Sequence, residues 1–126
     1  MYTAITHDIK VDVQPVYIEN KSNPVARRHV FVYHIQIHNQ SDQPVNLKSR
    51  FWNIQDDYGE NHQVEGKGVI GKQPEIEPGD TFYYNSFTVL KSFKGSMEGY
   101  YTMEQEDGNQ FKVAIPRFNL VSHLLN

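Results

Sequence analysis

The chain of 126 residues contains no cysteine. That excludes disulfides, thiolate metal sites and thiol nucleophiles, and it fits a reducing cytoplasmic compartment. No stretch approaches the roughly 20 apolar residues a membrane-spanning helix needs. The opening, Met1-Tyr2-Thr3-Ala4-Ile5-Thr6-His7-Asp8, has no basic segment followed by an apolar run, so the expectation is a soluble, unexported, cytoplasmic protein. A basic excess is also lacking: Lys and Arg number 12 against 15 Asp and Glu, a net charge of −3. No nucleic-acid partner is expected from that balance. No window repeats apolar residues at the 3.6-residue helical period. With no internal repeat, low-complexity tract or long linker, residues 1–126 read as a single domain, long enough for one core.

What is present is a period of two. Ile9, Val11 and Val13 alternate with polar residues, and Phe31, Tyr33, Ile35 and Ile37 do the same, the pattern of half-buried strands. Val45, Leu47 and Phe51 share one parity while Trp52 and Ile54 take the other, so this third strand is expected to carry a bulge or to pack on both faces. The segments 82–90, 97–105 and 110–115, rich in aromatic and β-branched residues, complete six or seven strands. Turn signals separate them at Asn20-Lys21-Ser22-Asn23-Pro24, at 39–44 and at Pro78-Gly79-Asp80. The fold class is therefore all-β, an antiparallel β-sandwich.

Hairpin registers can be worked out because residues paired across an antiparallel ladder share a face. A two-residue Asp107-Gly108 turn would set Glu104 against Phe111, mixing polar with apolar. A three-residue Glu106-Asp107-Gly108 loop pairs Met103 with Phe111 and Tyr101 with Val113, giving one apolar face. The same loop at Asp57-Tyr58-Gly59 pairs Trp52 with Val64 and Ile54 with His62.

Just beyond that second hairpin lies "VEGKGVIG", residues 64–71, which contains G-x-G-x-x-G at Gly66, Gly68 and Gly71. A dinucleotide fingerprint needs its glycines between a strand and a helix whose N-terminus faces the pyrophosphate. Pro74 and Pro78 follow one turn apart, and a helix-interior proline costs about 3 kcal/mol, so extended chain is expected instead. The run Gly66 to Gln73 also departs from a phosphate loop, because Gln73 stands where the metal-binding hydroxyl belongs. Glycines that permit unusual backbone or close approach are the favoured reading. The alternative is a shallow anion site in which exposed N–H groups of Gly66, Gly68 and Gly71 act with the ammonium groups of Lys67 and Lys72.

Metal and catalytic constellations are weak. His34 and His38 share a parity but lie roughly 13 Å apart on a regular strand, too far for one ion. Asp56, Asp57, Glu60, Glu104, Glu106 and Asp107 lack the order of a calcium loop and read as solvated turn acids. No metal or cofactor is assigned. His62 reads as a hairpin residue, and Ser86 and Ser96 have no adjacent base, so no catalytic residue is assigned and the chain is expected not to be an enzyme.

Aromatic doublets say more. Phe51-Trp52, Phe82-Tyr83-Tyr84 and Tyr100-Tyr101 must send a ring to each face of their strands. Trp52, Tyr58, Tyr83 and Tyr100 are thus candidates for a surface that meets a protein partner. In the tail, Phe118, Leu120, Leu124 and Leu125 are expected to close an edge or end of the sandwich, or to meet another subunit.

Arg50-Phe51-Trp52-Asn53-Ile54 with Gly59, then "VEGKGVIGKQPEIEPGDTFYYNSFTVL", "GSMEGYYTM" and "FKVAIPRFNL", together resemble the ApaG family over nearly the whole chain. The resemblance implies an immunoglobulin-like or fibronectin type III-like antiparallel β-sandwich. It also implies a small stand-alone bacterial protein associated with cobalt and magnesium efflux and encoded near a diadenosine-tetraphosphate hydrolase. Related domains in an F-box protein and a polymerase-delta-interacting protein look like protein-interaction modules. The family brings no catalytic residue set, and its glycine motif maps onto Gly66, Gly68 and Gly71. The resulting expectation is a non-enzymatic binding module for an unidentified protein partner. The alternative is a binder or sensor of a phosphate-bearing metabolite, such as diadenosine tetraphosphate or another nucleotide, at the Gly66 to Lys72 loop.

Overall fold

A computed structural model of the chain describes residues 1–125, with side chains described through residue 124. Among the described residues nine strands run β1 (Tyr2–Thr6), β2 (Ile9–Tyr17), β3 (His29–Asn39), β4 (Val45–Asp56), β5 (Glu60–Lys67), β6 (Glu75–Ile76), β7 (Thr81–Leu90), β8 (Lys94–Gln105) and β9 (Gln110–Val121). Single-turn 3₁₀ segments at Glu19–Lys21, Pro24–Ala26 and His123–Leu125 are the only helical pieces among the described residues. One sheet has the order β1-β2-β3-β7, and the second has β5-β4-β8-β9 with β6 paired to β4. All ladders are antiparallel.

Both hairpin registers follow from face-sharing: Met103 pairs with Phe111 and Tyr101 with Val113, and Trp52 pairs with Val64 and Ile54 with His62. The parity change in β4 is a bulge between Leu47 and Ser49 in its pairing with β8. The extra residue flips everything after it, so Val45 and Leu47 face the core and then Arg50, Trp52, Ile54 and Asp56 do. The strands outnumber the expected six or seven, and β8 begins at Lys94 rather than at 97; two further differences have clear causes. Strand β1 was hidden because its turn uses His7 and Asp8 at φ +49° and +63°, a hairpin geometry normally announced by glycine or asparagine. Strand β9 continues past Pro116 to Val121, which proline permits because β9 is an edge of its sheet.

Between the sheets Ile9, Val11, Val13, Phe31, Ile35, Ile37, Leu47, Met97, Tyr101, Met103, Phe118 and Leu120 are buried. Phe118 and Leu120 therefore belong to the core rather than to a closing tail. Its ring meets Trp52 at 5.8 Å and Tyr33 at 5.9 Å. Leu124 is exposed, and the side chain of Leu125 lies outside the described residues. Asp56 is not a solvated turn acid. It is buried and accepts bonds from the Lys91 N–H at 2.6 Å, the Ser92 hydroxyl at 2.8 Å and the Tyr58 N–H at 3.0 Å, tying the turn after β7 to the end of β4. Burial opposes its charge, but these hydrogen bonds prevail and hold the carboxyl below its ordinary value.

The two sides of the sandwich differ. On one side β9 packs against β1 and β2, and the Ala114 N–H donates to the Thr6 hydroxyl at 3.1 Å. On the other, the edge strands β5 and β7 are separated by an open cleft.

Candidate binding cleft and glycine loop

Each motif glycine has a separate steric duty, and no helix follows them. Gly66 lies on β5 directly opposite Arg50. A Cβ there would sit 2.6–2.7 Å from three guanidinium atoms, so the missing side chain leaves the space Arg50 occupies. Arg50 Nη1 in turn donates to the carbonyls of Gly68 at 2.9 Å and Lys67 at 3.3 Å. At Gly68, φ is +62° and a Cβ would lie 1.9 Å from the Lys72 carbonyl oxygen. Gly71, at φ +76°, shares with Ile70, at φ +44°, the two central positions of a tight turn closed by Val69 and Lys72, whose N–H and carbonyl groups bond each other at 2.8 and 2.9 Å.

That geometry bears on the anion alternative. The N–H groups of Gly68, Val69 and Lys72 already donate to the carbonyls of Lys48, Lys72 and Val69. Lys67 and Lys72 flank a shallow depression with Gly71 and Gln73, but the Gln73 amide nitrogen donates to the Lys48 carbonyl at 2.9 Å. Three of the loop's N–H groups are thus directed inward, whereas those of Ile70 and Gly71 make no described hydrogen bond.

The cleft between β5 and β7 has a volume of about 440 Å³ and is lined by Arg50, Trp52 and Ile54 of β4, Val64 of β5, Tyr33 of β3, the 69–71 turn and residues 84 and 86–89 of β7. Clefts of roughly 300–1,000 Å³ are typical of binding sites. Its origin is legible along β7. Inward positions run Phe82, Tyr84, Ser86, Thr88, Leu90, and outward positions run Tyr83, Asn85, Phe87, Val89. Over 86–89 the polarity is reversed: Ser86 and Thr88 face in and leave space, whereas Phe87, 62% exposed, and Val89, 39% exposed, face out. Phe87 pairs with half-buried Val32 and Val89 with buried Val30 on β3, beside a depression also bordered by Lys21 and Arg28. β7 carries no charged residue or proline, and no described strand pairs with its outer edge.

Among the described residues Arg50 is the only charged one lining the cleft, and it forms no ion pair with the others. Its neighbours are phenols. Burial raises Tyr33, Tyr84 and Tyr101 above the ordinary tyrosine value, and the nearby guanidinium opposes the rise without overcoming it. The Tyr84 and Tyr101 hydroxyls bond each other at 2.6 Å.

The aromatics expected at one partner surface are dispersed. Trp52 is a correction: it is 3% exposed, because the β4 bulge turns it inward against Tyr33 at 5.3 Å. Tyr58 sits in the β4–β5 turn under Arg27 at 4.9 Å and Lys91 at 5.6 Å, with its hydroxyl bonded to Arg27. Tyr100, half-buried on the outer face of the second sheet, is enclosed by Phe51 at 5.1 Å and Lys112 at 4.5 Å. Tyr83 lies on the outer face of β7, stacked on His34. Of the four, only Tyr83 shares a face with Phe87 and Val89. His34 and His38 are each tied to a β7 hydroxyl, Tyr83 at 2.7 Å and Thr81 at 2.6 Å. Sequence reasoning missed Arg50, Phe87 and Val89 as site residues. The reversed polarity of Ser86-Phe87-Thr88-Val89 was the available signal.

Strands β2, β3 and β7 facing β5, β4, β8 and β9, with β1 appended at one edge, make the molecule a fibronectin type III-like member of the immunoglobulin-like sandwiches. Folds of this class host many unrelated functions. Within that class the chain belongs to the ApaG family, whose ApaG domain matches residues 19–105. It is 48% identical over 122 residues to Protein ApaG of Sinorhizobium fredii, covering 97% of this chain and 94% of that one. It is 47% identical over 120 residues to Protein ApaG of Mesorhizobium japonicum, covering 95% and 92%. A crystal structure described as that of an ApaA protein from Bordetella pertussis superposes with a TM-score of 0.89 at 37% identity, over 92% of this chain and 94% of that chain.

Proposed function

We propose that this chain is a non-enzymatic binding module that recognises a protein partner along the edge and outer face of β7. One observation carries the reading: an uncharged ten-residue edge strand whose outward side chains at 87 and 89 are apolar while its inward ones at 86 and 88 are polar. An edge strand of that length and composition is a template for pairing with another chain unless something covers it, and an exposed apolar patch beside it marks a contact surface. In this reading the family's association with cobalt and magnesium efflux runs through the partner. The phosphate-metabolite alternative has less support, because the N–H groups of the glycine turn at 68, 69 and 72 are engaged.

A photo-crosslinking residue placed at position 87 or 89 is expected to trap a discrete protein in living cells. The same residue at Asn53, on the outer face of the second sheet, is expected to trap none. Adducts formed equally well from position 53, or none from β7, would refute the assignment of this surface.

A further inference from the structure

The β7 cleft also specifies the chemistry of what enters it. We propose that the partner contributes an extended peptide segment that pairs with the outer edge of β7 and places one carboxylate on Arg50. This inference rests on the reading of β7 as the recognition strand.

Residues of both β7 parities line the cleft: Ser86 and Thr88 from the inner face, Phe87 and Val89 from the outer. Successive side chains of a strand point to opposite faces, so only the strand's unpaired edge belongs to both sets. The cleft therefore opens along the row of backbone N–H and carbonyl groups that has no partner strand. An added strand would satisfy those groups, and its alternate side chains would enter the cleft, the mode by which extended peptides augment sheets.

Arg50 determines which side chain fits. Its Nη1 is anchored by the Lys67 and Gly68 carbonyls, and the guanidinium rests against Gly66. Nε and Nη2 take part in no described hydrogen bond, yet no buried polar side-chain atom lacks a partner among the described residues. Those donors are therefore open to solvent, and Arg50 lines the cleft as well as a neighbouring depression with Glu65, Lys67 and Tyr100. A fixed guanidinium with free fork donors and no counter-ion fits a carboxylate. Ile54, Val64 and Val89, farther along the same cleft, favour apolar or β-branched side chains at the neighbouring inward positions. Ile70 stands 52% exposed at the rim, held at φ +44° by the turn that Val69 and Lys72 close. A second copy of this chain, paired β7 to β7, does not meet the requirement, because Thr81–Leu90 contains no acid and both Arg50 side chains would stay unmatched.

The test is a randomised decapeptide display library selected on the intact folded chain, with binders located by amide hydrogen exchange. Enriched peptides are expected to carry Asp or Glu at one position with apolar or β-branched residues two away on either side, and to protect Thr81–Leu90. Changing that acid to its amide should weaken binding about tenfold or more, since a hydrogen bond to an ionised group is stronger than one to a neutral group. Arg50→Gln should bind the acidic and amide peptides equally. If Arg50→Gln does not fold, the acid-to-amide comparison on the unaltered protein decides alone. Enriched peptides that protect β7 without an acidic preference would overturn the carboxylate anchor and leave the recognition strand standing. Enriched peptides that protect other surfaces, or no enrichment, would overturn both.

Discussion

Replacing the motif glycines one at a time by alanine separates a structural role from a cofactor role. Gly68→Ala places a methyl 1.9 Å from the Lys72 carbonyl oxygen and 2.8 Å from its carbon, where an ordinary carbon–oxygen contact is about 3.3 Å or more. The obstacle is backbone, so relief means breaking the paired Val69–Lys72 hydrogen bonds, at about 1 kcal/mol each. The left-handed conformation of Gly68 adds about 1–2 kcal/mol, and the total is about 3–4 kcal/mol. Gly71→Ala meets nothing within 4 Å and suffers the conformational cost alone, about 1–2 kcal/mol. Gly66→Ala meets the end of a side chain rather than backbone, and displacing the Arg50 guanidinium forfeits its bonds to the Lys67 and Gly68 carbonyls, about 1–2 kcal/mol. Urea unfolding followed by the fluorescence of the single, buried Trp52 measures all three. The expected order places Gly68→Ala well below the other two. Equal losses at 68 and 71, or three fully stable variants, would refute the close-approach account.

Trp52→Ala should destabilise by about 3–5 kcal/mol, as truncation of buried aromatics does, whereas Tyr83→Ala should change unfolding free energy by less than about 1 kcal/mol; urea titrations compare them, and a Trp52 effect no larger than that of Tyr83 would contradict its core position. His29 is buried beside Phe93, its Nδ1 bonded to the Tyr17 hydroxyl at 3.0 Å. Burial lowers its pKa below the ordinary 6.5, with the Asp56 charge opposing. Below pH 6.5 the unfolded chain therefore takes up a proton that the folded one resists, so stability is full above that pH and declines as pH falls toward the folded value. Thermal melts from pH 7.5 to 5 should show that decline, and His29→Gln should flatten it. An unchanged slope in the variant would assign the acid sensitivity to other groups.

Local chemistry made much of the fold legible. The loops at 57–59 and 106–108 have one register each that keeps apolar residues on one face, and the parity slip in 45–54 can be resolved only by a bulge or by two packed faces. Other features were concealed for identifiable reasons. The β1–β2 turn places His7 and Asp8 at positive φ without a glycine to announce it, and Pro116 does not end β9 because an edge strand has ladder groups to spare.

The site was less legible, because period two states which residues share a face and not which face meets the core. Phe51 and Trp52 are adjacent, and it took the bulge to bury the second; the same displacement carries Arg50 inward. Pro74 and Pro78 alone were enough to argue that the glycine motif runs into extended chain. The steric partners of that motif, a guanidinium at Gly66 and a carbonyl at Gly68, come from elsewhere in the chain and became visible only in three dimensions. Strand propensity, turn chemistry and face-sharing are short-range and are written in neighbouring residues. Which strands become the unpaired edges, and whether the two sheets meet or gape there, depends on pairings between distant segments, and so the β5–β7 cleft and its lone arginine were decided by the tertiary structure.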